Sequence, residues 1–153
     1  MAPVQGIQAC LRLTRAISAA QSVREIYDVA LDALADGLGV QRSSILLFDP
    51  DGVMRFKAWR GLSDAYRQRV EGHTPWSPDT PDPATILVRD VGVDPACAEF
   101  IEAFEREKIR GLVFIPLVSR NRVIGKFMLY YDTLAEVSEP QMELAGVIAA
   151  QVA

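Results

Sequence analysis

Two stretches of this chain read as hairpins, and that limits the fold more than any other feature. Ser43 to Phe48 is rich in β-formers. It is followed by Asp49-Pro50-Asp51-Gly52, a turn with proline at its second position and glycine at its last. Val53 to Trp59 then alternates, so the two segments pair. Further on, Gly111 to Val118 is nearly all apolar, as a central strand would be. Asn121-Arg122 makes the turn, and Val123 to Tyr131 returns. Strands joined by hairpins are antiparallel. Thr85 to Val91 reads as one more short strand. Pro116, inside the strongest strand, calls for a bulge or an edge-facing amide position.

Helices fill the rest. Residues 4–20 carry Val4, Ile7, Cys10, Leu11, Leu13 and Ile17 at spacings that give one wide apolar face. Ser22-Val23-Arg24-Glu25 is a capping box that opens a second helix, whose stripe runs from Val23 to Leu38, with Gly37 and Gly39 supplying the residue type that ends a helix. Ser63 caps a short helix to about Val70. Asp94-Pro95 opens another, with Cys97, Phe100, Ile101 and Phe104 on its buried face. Ser138, with Gln141 three residues on, opens the last, which carries Met142, Leu144, Ala145, Ile148, Ala149 and Val152. The helices must bury their stripes together on one face of the sheet, which makes the chain an α+β domain.

Residues 72–84 contain four prolines, Pro75, Pro78, Pro81 and Pro83. Proline fixes φ and removes a donor, so this is neither a helix nor a central strand. Neither flank could bury a core alone, so the segment is a structured loop that crosses one domain, not a linker between two. Loops of this length inside a compact domain carry function or motion.

The bulk numbers exclude some classes. With 153 residues this is one domain, and a net charge of −4 argues against nucleic acid as a partner. Cys10 and Cys97 form neither a disulfide framework nor a metal pattern and read as small hydrophobes. The start, Met1-Ala2-Pro3-Val4-Gln5, is not that of a signal peptide. No apolar run approaches the roughly 20 residues that span a bilayer. The expected compartment is the cytoplasm. The chain stops at Ala149-Ala150-Gln151-Val152-Ala153 inside a helical pattern with no cap, so the last helix is expected to continue into a downstream module.

Three segments carry a resemblance. They are Ser44-Ile45-Leu46-Leu47-Phe48-Asp49-Pro50-Asp51-Gly52, Ile109-Arg110-Gly111-Leu112-Val113-Phe114-Ile115-Pro116-Leu117-Val118, and Arg122-Val123-Ile124-Gly125-Lys126-Phe127-Met128-Leu129-Tyr130-Tyr131. With the order of elements, they resemble the GAF domain, a relative of PAS, of the type found in multi-domain bacterial sensor histidine kinases. The resemblance covers about residues 20–153, leaving residues 1–20 as an N-terminal connector helix. It implies an antiparallel sheet of about six strands. The N-terminal, second and C-terminal helices lie on one face and contribute to dimer contacts. A small-molecule pocket lies under loops and short helices on the other. It further implies a role in sensing and signal transduction, with an output domain in cis.

The family's known chemistries find little support here. Its methionine-sulfoxide-reducing branch needs several thiols, and only Cys97 lies in the pocket half, with no resolving partner. Bilin-binding members attach the chromophore through a cysteine often followed by histidine, whereas Ala98 follows Cys97. The cyclic-nucleotide pattern is not met: Asn121 precedes Arg122, and Phe127 lacks the Asp-Glu pair. His73 has no second ligand near it and reads as a loop histidine rather than a metal or haem ligand. No cofactor is expected, and the isolated domain is expected not to be an enzyme.

What remains is a set of pocket candidates. Strand parity sends Val113, Ile115, Leu117, Phe127 and Leu129 to the helices. It leaves Leu46, Phe48, Leu112, Phe114, Met128 and Tyr130 on the loop side. Trp59, Tyr66, His73 and Trp76 could reach the same face, and Arg60 and Arg89 could neutralise an acidic ligand. The same aromatics also suit a plain filled core. For a homodimer through the terminal helices the candidates are Ile7, Leu11, Ile148 and Val152, near small residues that allow close approach.

Overall fold

Helices form where the caps lie. The computed structural model describes the backbone of residues 2–153 and the side chains of residues 7, 8 and 10–153. Helix α1 spans Ala2–Ala19 and α2 spans Val23–Leu38. Val4, placed on the apolar face of α1 by periodicity, has its side chain outside the described residues. The Ser22 hydroxyl accepts from the Glu25 amide at 3.2 Å. The Glu25 carboxylate in turn accepts from the amide of Gln21 at 2.7 Å, one residue earlier than the usual capping box. Gly39, at φ 71, ends α2 in the left-handed turn expected of a glycine. Helix α5, Glu139–Val152, opens with both bonds of the Ser138–Gln141 box in place.

The strands are β1 (Arg42–Phe48), β2 (Met54–Arg60), β3 (Ile86–Val88), β4 (Gly111–Ser119) and β5 (Arg122–Tyr131). They form one antiparallel sheet in the order β2-β1-β5-β4-β3, so β1 and β5 join the two hairpins. Among the described residues five strands form where about six were expected. The chain between α3 (Asp64–Val70) and β3 is the proline-rich segment, which has too few amide donors for a ladder. The strand expected over Thr85–Val91 shrinks to Ile86–Val88 and pairs only with residues 112–114 of β4. Pro116 therefore sits where β4 has one flanking strand, next to a register shift between Leu117 and Val118. The helix expected from Asp94 splits into a 3₁₀ turn, Pro95–Phe100, and α4, Ile101–Glu107.

Alternation along the strands divides the interior into two layers. Ile45, Val113, Ile115, Leu117, Phe127 and Leu129 pack with Leu13 of α1, Leu31 and Leu34 of α2, and Ile148 of α5. Leu46, Met54, Leu112, Met128 and Tyr130 face the other way, under α3, the 3₁₀ turn and α4. Of these, Val113, Ile115, Leu117, Phe127 and Leu129 lie on the helix side and Leu46, Leu112, Met128 and Tyr130 on the loop side, as parity assigns them. Gly125 marks the tightest crossing. A Cβ there would fall well inside contact distance of the Leu46 carbonyl and of the Leu47 side chain, so β5 can lie against β1 only without a side chain at this point.

Candidate functional site

The loop-side layer is not filled completely. A cavity of about 30 Å³ lies between the sheet and its cover. Its floor is Leu46 of β1, Phe56 of β2, Leu112 and Phe114 of β4, and Lys126, Met128 and Tyr130 of β5. Its roof is Tyr66 and Val70 of α3, His73, Phe100 and Phe104. A second hollow of about 120 Å³ adjoins it. The two share His73, Phe100, Phe104, Leu112 and Phe114, and the second reaches Ile86, Val88 and Cys97.

The roof is held by bonds that cross between elements. Glu107, at the end of α4, accepts from the amide and hydroxyl of Ser63 at the start of α3 (2.6 and 2.7 Å). Arg42 at the start of β1 donates to the carbonyls of Glu107 and Lys108. Arg69 lies over the Phe100 ring at 4.6 Å, and the His73 ring meets Phe100 in a T-shaped pair with centroids 4.6 Å apart. Tyr66 stands edge-on to Tyr130, whose hydroxyl is 2.8 Å from that of Ser44 in a buried pair. Burial pushes both phenols well above the ordinary tyrosine range. Neither is an anion at neutral pH.

The structure gathers Leu46, Tyr66, His73, Leu112, Phe114, Met128 and Tyr130 around the cavity, and it places the other candidates elsewhere. Trp59 is 39% exposed at the sheet edge, with the Arg67 guanidinium 3.8 Å above its ring. Arg60 turns to the helix side, where it pairs with Asp32 and donates to the Asp28 carbonyl. A register slip explains this. Ile45 opposes Ala58 while Leu46 opposes Phe56, so Lys57 is an extra residue and the parity of β2 changes beyond it. Phe48 packs at the margin of the loop-side layer and lines a surface hollow beside Pro78 and Arg122 rather than the cavity. Trp76 is buried but stands behind Phe114, edge-on at 6.4 Å. Arg89 pairs with Glu136 at the surface. Ile148, proposed for a dimer face, is fully buried in its own core, because the α5 stripe it belongs to is the one that meets the sheet. Val152 is half-buried there, whereas Ile7 and Leu11 are exposed.

Lys126 is the wall residue that an aromatic-centred reading passes over. It is 3% exposed, its Nζ donates to the His73 carbonyl at 2.9 Å, and it lies 5.2 Å from the Phe114 centroid. Burial pushes its pKa down to about 7. The signal was available: Lys126 shares strand parity with Met128 and Tyr130, so a charge had to point into the loop-side layer. His73 at the rim is likewise held below the ordinary histidine value, by desolvation first and the neighbouring lysine second.

Comparison with known proteins agrees with this architecture. The sequence matches the GAF domain family over residues 20–153. Among solved structures, a domain of a protein assigned as a two-component sensor histidine kinase from Sinorhizobium meliloti is 41% identical. It covers 86% of this chain and 89% of that one, with a TM-score of 0.80. The GAF domain of a phosphoenolpyruvate-protein phosphotransferase from Coxiella burnetii shares the fold at 15% identity, covering 97% of this chain and 90% of that one, with a TM-score of 0.76. GAF3 of Slr1393 from Synechocystis does so at 17% identity, covering 86% and 90%, with a TM-score of 0.68. The search of curated proteins gives no match. The helix layer and the antiparallel sheet are thus those of a GAF domain, the family to which this chain belongs.

Proposed function

We propose that this chain is the regulatory GAF domain of a bacterial signal-transduction protein, with the roofed cavity as its small-molecule site and an output domain in cis. The observation that carries the reading is the back-to-back arrangement. The strands that floor the cavity with Leu112, Phe114, Met128 and Tyr130 present Val113, Ile115, Phe127 and Leu129 to the helix layer. A guest that favours one packing of that layer shifts its population only by its difference in affinity for the two packings. A sensor histidine kinase as the parent rests on the Sinorhizobium relative.

The domain is read as non-catalytic. Cys97 is buried with its thiol raised to about 11, and Cys10 belongs to the helix layer on the other side of the sheet. Among the described residues no group of His, Cys, Asp and Glu could hold a metal ion, and no helix is long and apolar enough to cross a membrane. The homodimer reading moves to Ile7 and Leu11 of α1 with Leu144 and Val147 of α5. These line an open apolar groove of about 490 Å³.

Native mass spectrometry and thermal shift against a broad metabolite panel test the sensor reading. A retained ligand or a clear rise in Tm is expected, and silence across the panel counts against it. A second reading is favoured by one observation, the small volume of the cavity, which is room for about one water. On that reading the aromatics are a filled core and the domain is a dimerisation or spacer module. Signalling by the parent protein would then be indifferent to cavity substitutions that leave the fold intact.

A further inference from the structure

A lysine in a central strand normally snorkels to water. Lys126 does not. Gly125 and Phe127 flank it, and Leu46 and Pro116 oppose it on the neighbouring strands. Its ammonium has three donors. One meets the His73 carbonyl, and the Phe114 ring supplies weak attraction. Among the described residues no carboxylate lines the cavity. The titratable groups that face it are Tyr66 from α3, Tyr130 from its own strand and His73 from the loop. The elements β1, β2, β4, the 3₁₀ turn and α4 present only apolar side chains. Buried charges in proteins are ordinarily paired, and this one has no counter-charge in its wall.

We propose that the cavity takes a compact organic monoanion, a carboxylate on a small apolar body, whose carboxylate pairs with Lys126 Nζ. This rests on the ligand-sensing reading above and names its ligand class. One cation suits one negative charge; a phosphate dianion would ask for further cations or amides. The adjoining hollow has the volume and lining for the apolar body. Its one acidic residue, Asp94, is committed to capping Ala96. Phe100 and Phe114 form the shared wall, so a ring-sized guest displaces them. The two spaces together approach the volume at which an engineered apolar cavity holds benzene.

The test is calorimetric titration of the domain with benzoate, benzamide and acetate, in two buffers of different ionisation enthalpy. Wild type is expected to bind benzoate about tenfold or more tightly than either other probe. Proton uptake should accompany benzoate binding above about pH 7, as the lysine ionises to meet its partner. Lys126→Met should lose the preference for benzoate and keep benzamide. Benzamide binding as tightly as benzoate overturns the anion assignment and leaves the pocket reading standing. Acetate binding as tightly as benzoate overturns the apolar body. No heat from any probe with either protein overturns both. If Lys126→Met fails to fold by circular dichroism, the wild-type proton count decides: benzoate binding without uptake ends the assignment of Lys126.

Discussion

Lys126 Nζ and the carbonyl oxygen of His73 are 2.9 Å apart, and this bond fastens the proline-rich loop to the centre of the sheet. A second tie lies nearby, where the Val123 amide donates to the Pro78 carbonyl at 3.1 Å. The loop therefore closes the cavity with backbone, and the side chain that holds it there is itself short of partners.

Stability should rise with pH just above neutrality. Burial moves Lys126 from 10.5 to about 7. Between those values the unfolded chain binds the proton and the folded chain does not, so the unfolding free energy climbs with pH. Below about 7 both states are charged and the full burial cost is felt. The gain between about pH 7 and pH 8.5 should be roughly 1–2 kcal/mol, read by urea titration, and absent in Lys126→Met. His73 titrates below this window, since its pKa is lowered from 6.5. Cys10 and Cys97, both raised from 9.0, oppose the trend only above it. A flat wild-type profile would contradict the burial of a neutral amine.

Gly125→Ala should cost about 2–3 kcal/mol, because the added methyl meets backbone of β1 and has nowhere to turn. Gly146→Ala is the control, since a Cβ there meets nothing within 4 Å. It should be neutral or slightly stabilising in the helix. Equal midpoints for the two variants would show that β1 yields at Gly125.

The two tryptophans should separate. Trp76, 7% exposed, fills space behind Phe114, and Trp76→Ala should cost about 3–5 kcal/mol. Trp59→Ala, which removes an exposed ring and its contact with Arg67, should cost about 1 kcal/mol. Chemical denaturation measures both, and a reversed order would refute the placement of the rings.

Much of this was legible in advance. The hairpin turns, the serine caps and the two-residue alternation placed the strands and both layers, because each is a local signal with a local cause. The slip at Lys57 was not legible. A bulge leaves the composition of a strand unchanged, yet it sent Arg60 to Asp32 and away from the cavity. The role of Ile148 was also open, since periodicity puts it on the α5 stripe without saying whether that stripe meets the sheet or a second copy. Lys126 is legible by parity alone, since it alternates with Phe127 and shares its side of β5 with Met128 and Tyr130.

Ile148→Ala and Leu11→Asp should therefore behave differently. The first opens a hole in the core and should cost about 2–5 kcal/mol. The second changes a residue 52% exposed and should leave the midpoint nearly unchanged, while lowering the sedimentation coefficient if the α1–α5 groove joins two copies. A Leu11→Asp protein that sediments like wild type argues against that groove as the joint.

Because Lys126 and Phe127 are neighbours on one strand and point to opposite layers, anything wedged beneath the sheet has only a backbone's thickness between it and the helices above. A close-packed interior compresses very little. Neither can β5 slide by one residue to make room, since that would turn its apolar set to the wrong side. A tilt of the strand as a rigid plank would therefore turn swelling on one side into displacement on the other.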